Sequence, residues 1–206
     1  MPVDHSLLYE LQMLLGKLVC LRPRHEDDVA VLHAELYENV SGRSRSHLQG
    51  WVPIPSGPRS PYAVPAPSES AAVFSVVERA TGDLAGEASL WGIDLHNRSA
   101  HLGLSLRPAF RGRGLGTDIV TVLTDYGFRT RGLHRLQLET LTDNAAMIAA
   151  AARAGFRREG TLRQSGWVNG VFTDDAILGL LAQDWSDSCD AQQSAPTSEV
   201  PATQTQ

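Results

Sequence analysis

The feature that most constrains this chain is a strand, a glycine-rich turn and a helix, which follow one another over residues 101–117. In residues 101–106, leucine occupies every second position, which is the period-two pattern of a half-buried β-strand. Pro108 ends this strand, because proline has no N–H to donate to a ladder. Residues 111–116 read Arg-Gly-Arg-Gly-Leu-Gly, and a helical pattern opens at about Thr117.

The turn over residues 111–116 is expected to bind an anion. The first N–H groups of a helix have no partner within the helix, and the helix dipole adds a partial positive charge there. Glycine lets the backbone approach a phosphate without a Cβ in the way. Arg107, Arg111 and Arg113 add positive charge to the same turn. The stretch therefore predicts a site for a phosphorylated ligand.

Two common phosphate motifs do not fit this turn. A P-loop needs Gly-Lys followed by Ser or Thr, and the only lysine of the chain, Lys17, is far away. A Rossmann fingerprint needs G-x-G-x-x-G after a continuously apolar strand, whereas here the spacing is G-x-G-x-G and the strand alternates. A surface turn with solvated arginines is the remaining alternative for the motif alone.

The residues after the turn alternate between helical and strand patterns. Apolar residues recur at helical spacing from 119 to 126, and Gly132 suits the position after the end of a helix. Asn144 is a helix N-cap residue and opens an alanine-rich helix over 145–154. Strands are predicted over 136–140, 158–167 and 171–181, the last two joined by the tight turn Asn169-Gly170.

Together these residues resemble the GCN5-related N-acetyltransferases (GNAT). Residues 111–116 match the acetyl-CoA signature Q/R-x-x-G-x-G/A of that family. Asn144, Gly155-Phe156 and Glu159-Gly160 stand where the ribosomal-protein-alanine acetyltransferase (RimJ/RimL) branch has N-x-x-S, GF and EG, and Leu21-Arg22-Pro23 is similar to the L-R-P of its first strand. The resemblance implies an α/β GNAT fold: a mixed, mostly antiparallel sheet flanked by helices, in which strands four and five splay apart.

The resemblance also implies an activity, the direct transfer of an acetyl group from acetyl-CoA to a primary amine. The acceptor would be the N-terminal α-amine of a protein or peptide, or a small-molecule amine. The backbone of the splayed strand and of the turn would hold the cofactor, with Asn144 contacting the pantetheine arm, although Asn144 already has a structural role as an N-cap. The implied cofactor-binding residues are Leu104, Ser105, Leu106, Arg111, Gly112, Arg113, Gly114, Leu115, Gly116, Thr117 and Asn144.

The candidate catalytic residues depart from the family pattern. Many relatives carry Glu two residues before the glycine of strand four, and that position here is His101. Histidine, with an ordinary pKa of about 6.5, can take a proton near neutral pH; the alternative is a strand histidine that only faces a polar channel. Glu87, in the neighbouring predicted strand, is the second candidate base. The serine of N-x-x-S is Met147 here, which leaves water or Ser165 to protonate the thiolate.

One domain over residues 18–185 is expected, with an N-terminal arm over 1–17 and a tail over 186–206. Acidic residues interrupt the apolar residues of the arm and no basic segment precedes them, so a helical arm is favoured over a signal peptide. The tail is rich in Ser, Gln, Thr, Pro and Ala, which predicts disorder. The domain is expected to begin with a strand over 18–22 and a helix over 26–38, and strands are also predicted over 74–79 and 84–93.

Residues 39–70 contain many of the chain's 11 prolines and are interpreted as a long loop. Trp51 and Tyr62 would be costly to leave in water, so the loop is expected to fold over the site, where these two residues would contact the acceptor. The alternative is that the tryptophan fills the core.

The composition excludes several function classes. A net charge of −5 gives no electrostatic support for nucleic-acid binding. No apolar run reaches the roughly 18 residues of a membrane span, and no metal site is expected. The two cysteines, Cys20 and Cys189, make a poor disulfide pair, so a cytoplasmic location is expected. The protein is expected to be a monomer or a homodimer.

The sequence is also compatible with two functions that involve no catalysis. A relative that senses acyl-CoA without turnover is compatible with the absence of Glu at position 101 and of Ser at position 147. An interaction protein that uses the Pro-rich loop would bind no CoA at all.

Overall fold

The computed structural model describes residues 13–46 and 50–193. The elements follow the chain order strand, strand, helix, helix, three strands, helix, strand, helix, two strands, helix. They are β1 (Leu14–Leu15), β2 (Val19–Pro23), α1 (Glu26–Leu32), α2 (Val40–Ser46), β3 (Ala71–Glu78), β4 (Leu84–Asp94), β5 (Ser99–Leu106), α3 (Leu115–Asp125), β6 (Arg135–Leu141), α4 (Ala145–Arg153), β7 (Arg157–Val168), β8 (Val171–Leu181) and α5 (Ala182–Gln193). Turns of π-helix extend α1 over His33–Tyr37 and α3 over Tyr126–Thr130.

The strands form one sheet in the order β1-β2-β3-β4-β5-β6-β8-β7. Every neighbouring pair is antiparallel except β5 and β6, which are parallel. This confirms the mixed, mostly antiparallel sheet of the predicted fold. Because β1 adds a strand at the edge, the splayed strands four and five of the GNAT fold correspond to β5 and β6 here.

Two hydrophobic clusters lie on opposite faces of the sheet. The larger one packs α3 and α4 against β2 to β6 and β8, and includes Leu90, Leu102, Ile119, Leu123 and Leu136. The smaller one lies under α1 and contains Leu32, Leu36, Tyr37 and Tyr62. Each leucine buried in this way contributes about 1.5–3 kcal/mol relative to an exposed one, so the clusters fix both helical layers on the sheet.

Three segments differ from the sequence-based expectation. Leu14–Leu15, at the end of the expected helical arm, form a strand paired with β2. Helix α2 lies within the stretch interpreted as a loop over residues 39–70. Helix α5 continues through Gln193 and so covers the first part of the segment for which composition predicts disorder. The rest of the arm and of the tail lies outside the described residues.

Asp28 fastens the start of α1 to the edge of the sheet. Its carboxylate accepts two hydrogen bonds from Arg22, at 2.6 and 2.7 Å, one from the Ser75 hydroxyl at 2.8 Å and one from the backbone N–H of His25 at 2.9 Å. Burial would raise the pKa of Asp28, but these bonds outweigh it and lower the pKa from 3.8 to about 2. The carboxylate therefore stabilises the fold in its charged form.

Replacing Asp28 with asparagine should lower the free energy of unfolding by about 2 kcal/mol at neutral pH. The pKa of Asp28 in the folded protein lies below that of the unfolded chain, so this stabilisation is present above about pH 4 and is lost as the pH falls towards about 2. Urea unfolding across that range checks the effect, with the exposed neighbour changed in Asp27→Asn as the control. A stability difference that does not shrink in acid would contradict the assignment.

Candidate functional site

The sheet opens between β5 and β6. The two parallel strands pair at Ser99–Arg135, Ala100–Leu136 and His101–Gln137, and within the described chain their pairing ends there. Beyond this point β5 continues to Leu106 with β4 as its neighbour, while β6 continues with β8 as its neighbour. The strands therefore splay apart where the resemblance implies an opening for the pantetheine arm.

The backbone of β5 presents unpaired groups to this opening. The N–H of Arg107 donates to the carbonyl of Ala85 on the β4 side, at 2.9 Å. Because backbone directions alternate along a strand, the N–H groups of Leu106 and Leu104 are directed away from β4, towards the opening. The carbonyl of Leu106 agrees with this direction, since it accepts a hydrogen bond from Arg111 rather than from β4. Leu104 and Leu106 thus offer the donors predicted for this strand, while Ser105 is directed at β4.

The predicted turn leads directly into the start of α3. Gly112 and Gly114 have φ values of +73° and +80°, a region that favours glycine. Helix α3 begins at Leu115, two residues before the predicted start, and its N-cap, Gly114, has no side chain to cap the first N–H groups. A Cβ built at Gly116 meets nothing within 4 Å. The first turn of α3, which includes Leu115, Gly116 and Thr117, therefore presents open backbone donors to an anion.

Asp118 holds this helix start in place. Its carboxylate accepts hydrogen bonds from the backbone N–H groups of Lys17, Leu18 and Val19, at 3.1, 2.7 and 2.9 Å. These bonds tie the first turn of α3 to the start of β2, and they engage the one acidic side chain of that turn. Sequence reasoning missed this residue, because an Asp in a first helical turn usually serves only the helix dipole.

The three arginines of the turn have different partners. The guanidinium of Arg107 donates hydrogen bonds to Glu35 and to the carbonyl of Leu84, so it is directed into the protein and away from the turn. Arg113 pairs with the buried Glu78 at 2.5 Å, and the Nε of Arg111 donates to the carbonyl of Leu106 at 3.0 Å. Arg111 and Arg113 are both exposed beside the open N-terminus of α3. Two of the three predicted cations therefore lie exposed beside the N-terminus of α3, and their contact with an anion stays a prediction.

Asn144 has the predicted N-cap geometry. Its Oδ1 accepts a hydrogen bond from the N–H of Met147 at 3.2 Å, and its Nδ2 donates to the Thr140 hydroxyl at 2.9 Å. Each atom of the amide has room for one further bond, a second proton on Nδ2 and a second lone pair on Oδ1. A contact with the pantetheine arm stays a prediction.

The candidate bases lie on the face of the sheet that α1 covers. On this face, β4 and β5 bring three pairs of residues side by side: Glu87 with Ser105, Ser89 with Gly103, and Trp91 with His101. Gly103 therefore lies midway between the two candidate bases. Its missing side chain leaves a position lined by the indole Nε1 of Trp91, at 3.5 Å from a Cβ built there.

His101 is held between an aromatic ring and a carboxylate. Its ring stacks on Trp91 with centroids 4.2 Å apart and planes inclined by 20°. Its Nδ1 lies 3.8 Å from Oε1 of Glu139 on β6, across the start of the opening. Nδ1 is enclosed, whereas 31% of the His101 side chain is exposed. Sequence reasoning missed Glu139, because the alternation of β6 places it on this face only once the parallel pairing with β5 is known.

Glu87 is paired with a buried cation. Its carboxylate lies 2.7 Å from Nη2 of Arg24. Burial raises the pKa of Glu87, and the attraction of Arg24 and Arg43 opposes that rise. Glu87 is thus available as a carboxylate of raised basicity, but it is also committed to Arg24.

The remaining predicted residues occupy different places. Trp51 is 39% exposed and packs beside Tyr37, with ring centroids 6.2 Å apart, so the indole does not fill the core. Tyr62 is buried in the small cluster under α1, so the loop does fold onto this face. Ser165 donates to the carboxylate of the buried Asp175 at 2.7 Å. Contacts of these residues with an acceptor stay predictions.

The geometry fits acetyl-CoA. An open helix N-terminus with two exposed arginines suits a diphosphate, and the unpaired edge of β5 suits the amides of a pantetheine arm. Within residues 13–46 and 50–193, no cluster of three or more His, Cys, Asp or Glu side chains could hold a metal ion. No helix in the described part of the chain is long and apolar enough to cross a membrane.

Several curated N-acetyltransferases are similar to this chain in sequence. The putative ribosomal N-acetyltransferase YdaF of Bacillus subtilis is 33% identical over 104 residues, which are 50% of this chain and 57% of that protein. The spermidine N(1)-acetyltransferase of Vibrio cholerae is 29% identical over 106 residues, which are 52% of this chain and 61% of that protein. The chain spans about half the length of the curated relatives it matches.

Solved structures show the same fold. The crystal structure of spermidine N-acetyltransferase from Vibrio cholerae in complex with CoA and spermine has a TM-score of 0.68 and covers 83% of this chain and 99% of its own, at 19% identity. That similarity establishes the fold. The family model of the acetyltransferase (GNAT) domain matches residues 19–157. The chain therefore belongs to the GNAT acetyltransferase family.

Proposed function

We propose that this chain is an acetyltransferase of the RimJ/RimL branch, which transfers an acetyl group from acetyl-CoA to a primary amine by direct attack. The observation that carries the proposal is the junction of the open α3 N-terminus with the unpaired edge of β5. In this arrangement a diphosphate and the arm attached to it can be bound by one continuous stretch, residues 104–117. The acceptor is the α-amine of a protein or peptide, or a small-molecule amine.

The cofactor end of the site works through backbone donors and two cations. The N–H groups of the first turn of α3 bind the diphosphate, with Arg111 and Arg113 screening its charge. The N–H groups of Leu104 and Leu106 bind the pantetheine arm and the thioester carbonyl, whose oxygen gains negative charge during attack. Asn144 adds a polar contact from the β6 side.

The acceptor end needs a base and a proton donor. The amine nitrogen forms a bond to the carbonyl carbon over Gly103, and the bond from that carbon to sulfur breaks. The exposed part of the His101 ring accepts the proton of the amine, directly or through water, while Glu139 stabilises the resulting imidazolium. Glu87 is the alternative base, and water or Ser165 returns a proton to the thiolate.

The experiment that tests the proposal is release of free thiol from acetyl-CoA with a panel of amines, including peptides with free N-termini, amino acids and polyamines. Mass spectrometry of the acceptor identifies the acetylated amine. We expect thiol release that depends on the acceptor and yields an acetylated product. Thiol release with no acetylated acceptor would show hydrolysis instead.

A sensor that binds acyl-CoA without turnover is the second candidate. It is favoured by two substitutions, His101 in place of Glu and Met147 in place of Ser. Tight acetyl-CoA binding without acetylation of any amine in the panel would select the sensor over the enzyme.

Replacing Arg111 or Arg113 with alanine should raise the KM for acetyl-CoA roughly fivefold each and reduce its dependence on salt. The reason is that each variant removes one exposed cation from the diphosphate site. Arg129→Ala is the matched control, since Arg129 is an exposed arginine at the other end of α3 that pairs with Asp125. If the control and the two variants share the same KM and salt dependence, the arginines are a solvated surface.

A further inference from the structure

A cluster of buried charges under the α1 face carries more positive than negative charge. Arg24 and Arg43 are each 5% exposed, and the carboxylate within reach of them both is Glu87. Arg24 forms the ion pair with Glu87 at 2.7 Å. Among the described residues, no acidic side chain lies within 4 Å of Arg43, so its charge has no direct partner. A buried guanidinium without a counter-charge is costly, which makes the cluster a site for one anion.

The unpartnered atoms of the cluster are hydrogen-bond donors. Among the described residues, Nε and Nη1 of Arg43 and Nε of Arg24 are enclosed and have no hydrogen-bond partner. The enclosed hydroxyl of Tyr62 lies beside the guanidinium of Arg43, and its proton has no acceptor among the described residues. Burial and the charge of Glu87 raise the pKa of Tyr62 far above its ordinary value, so its hydroxyl keeps its proton. The cluster therefore offers donors with no acceptor to match them, which is the reverse of what a cationic ligand needs.

The ring of Tyr37 fixes the orientation of Arg43. The guanidinium carbon lies 4.5 Å from the centroid of that ring, so the planar group is stacked on the aromatic face. Arg24 is placed in a similar way, 5.7 Å from the centroid of Tyr62. Stacking occupies the face of a guanidinium group and not its edge, so Nε and Nη1 of Arg43 and Nε of Arg24 stay available to a carboxylate, whereas Nη2 of Arg24 is engaged by Glu87.

The cluster is next to the reaction centre. Glu87, its least buried member, is the cross-strand neighbour of Ser105, and its side chain is 16% exposed. Ser105 lies two residues from Gly103, a separation of roughly 7 Å along the strand. A ligand whose amine lies over Gly103 can therefore place an anionic group at the cluster, provided that several bonds separate the two groups.

We propose that Arg43, with Arg24 and Tyr62, binds a carboxylate of the acceptor, so that the acceptor is an amine that also carries a carboxylate several bonds away. This inference rests on the proposed acetyl transfer and names the acceptor class. Two sources supply that chemistry, an ω-amino acid or a peptide with an acidic residue next to its free N-terminus. A polyamine is disfavoured, because a second ammonium group at the cluster would meet two guanidinium groups.

The test compares acids with their neutral carboxamides in the thiol-release assay. One arm uses ω-amino acids of increasing chain length, each beside its carboxamide, and the other uses the peptide amides Ala-Glu and Ala-Gln. We expect kcat/KM to be at least about tenfold higher for the acid of the preferred pair, the usual worth of a charge-assisted hydrogen bond. The arm with the larger ratio identifies the source of the carboxylate.

Arg43→Gln should remove the preference by lowering kcat/KM for the acid while leaving the carboxamide nearly unchanged. Arg45→Gln is the matched control, because Arg45 is an exposed arginine on the same helix that pairs with Asp143. Should Arg43→Gln fail to fold, Tyr62→Phe removes one donor without loss of ring packing and should reduce the preference severalfold.

Equal rates for acids and carboxamides, with acetyl transfer intact, would overturn the carboxylate subsite alone. A preference that Arg43→Gln or Tyr62→Phe leaves unchanged would overturn it as well. A wild-type protein that binds acetyl-CoA but acetylates no amine would overturn the proposed function, and the acceptor class with it.

Discussion

Replacing His101 with alanine is expected to lower kcat/KM for the amine by roughly 10² to 10⁴, the usual worth of general base catalysis. The affinity for acetyl-CoA should stay nearly the same, because the ring lies on the α1 face, away from the helix N-terminus that we propose to bind the diphosphate. The pH profile of kcat/KM should differ between the wild type and the variant, because only the wild type has a ring that can accept the proton of the amine. Steady-state kinetics against pH, together with calorimetry of acetyl-CoA binding, measures both quantities.

Two further variants separate catalysis from structure at this position. His101→Glu should recover much of the rate, since it restores the residue that many relatives of the family carry there. His96→Ala is the control for the loss of a histidine, because His96 is exposed in the turn before β5. A His101→Ala protein that keeps its kcat would show that His101 is not the base and that Glu87 or water takes the proton.

Replacing Gly116 with leucine is expected to weaken acetyl-CoA binding by roughly 100-fold, or about 2.7 kcal/mol. A Cβ at this position meets open space, so the added side chain should leave the fold intact and occupy the place of the diphosphate. Gly116→Ala is the matched control, because the family signature accepts Gly or Ala there and a methyl group fits. Calorimetry on both folded variants measures the difference.

Gly116 is a cleaner probe than its neighbours in the turn. Gly112 and Gly114 have positive φ values, so a larger residue at either position strains the backbone whether or not a ligand binds. If Gly116→Leu and Gly116→Ala bind acetyl-CoA with equal affinity, the diphosphate does not bind at this end of the helix.

Local patterns were sufficient to predict most of the fold. The alternation of β5, the N-cap at Asn144 and the turn at Asn169-Gly170 each depend on residues close together in the chain, and the structure confirms all three. Helix α2 was missed because its seven residues, rich in serine and arginine, carry no apolar stripe, and it is held by contacts with the β7–β8 hairpin such as the bond from Asn169 to Ser44. Tertiary contacts decide the state of such a short segment.

The candidate site was predictable only where it is local. The glycine turn and the splayed strand are consecutive in the chain, so their chemistry could be read together. The carboxylate of Asp118 acts on residues about a hundred positions earlier, and the Arg24–Glu87 pair spans 63 positions. No spacing in the sequence predicts such pairs, because the order and register of the strands bring their residues together.

The most direct test of the central claim is backbone amide hydrogen exchange, followed residue by residue with and without acetyl-CoA. We expect new protection at the N–H groups of Leu104 and Leu106 and in the first turn of α3, because these donors are open in the structure and are proposed to bind the pantetheine arm and the diphosphate. The amides of β2 and β3, which are already paired in the sheet, should not change. Saturating acetyl-CoA that leaves Leu104, Leu106 and residues 115–117 exchanging as before would contradict the account.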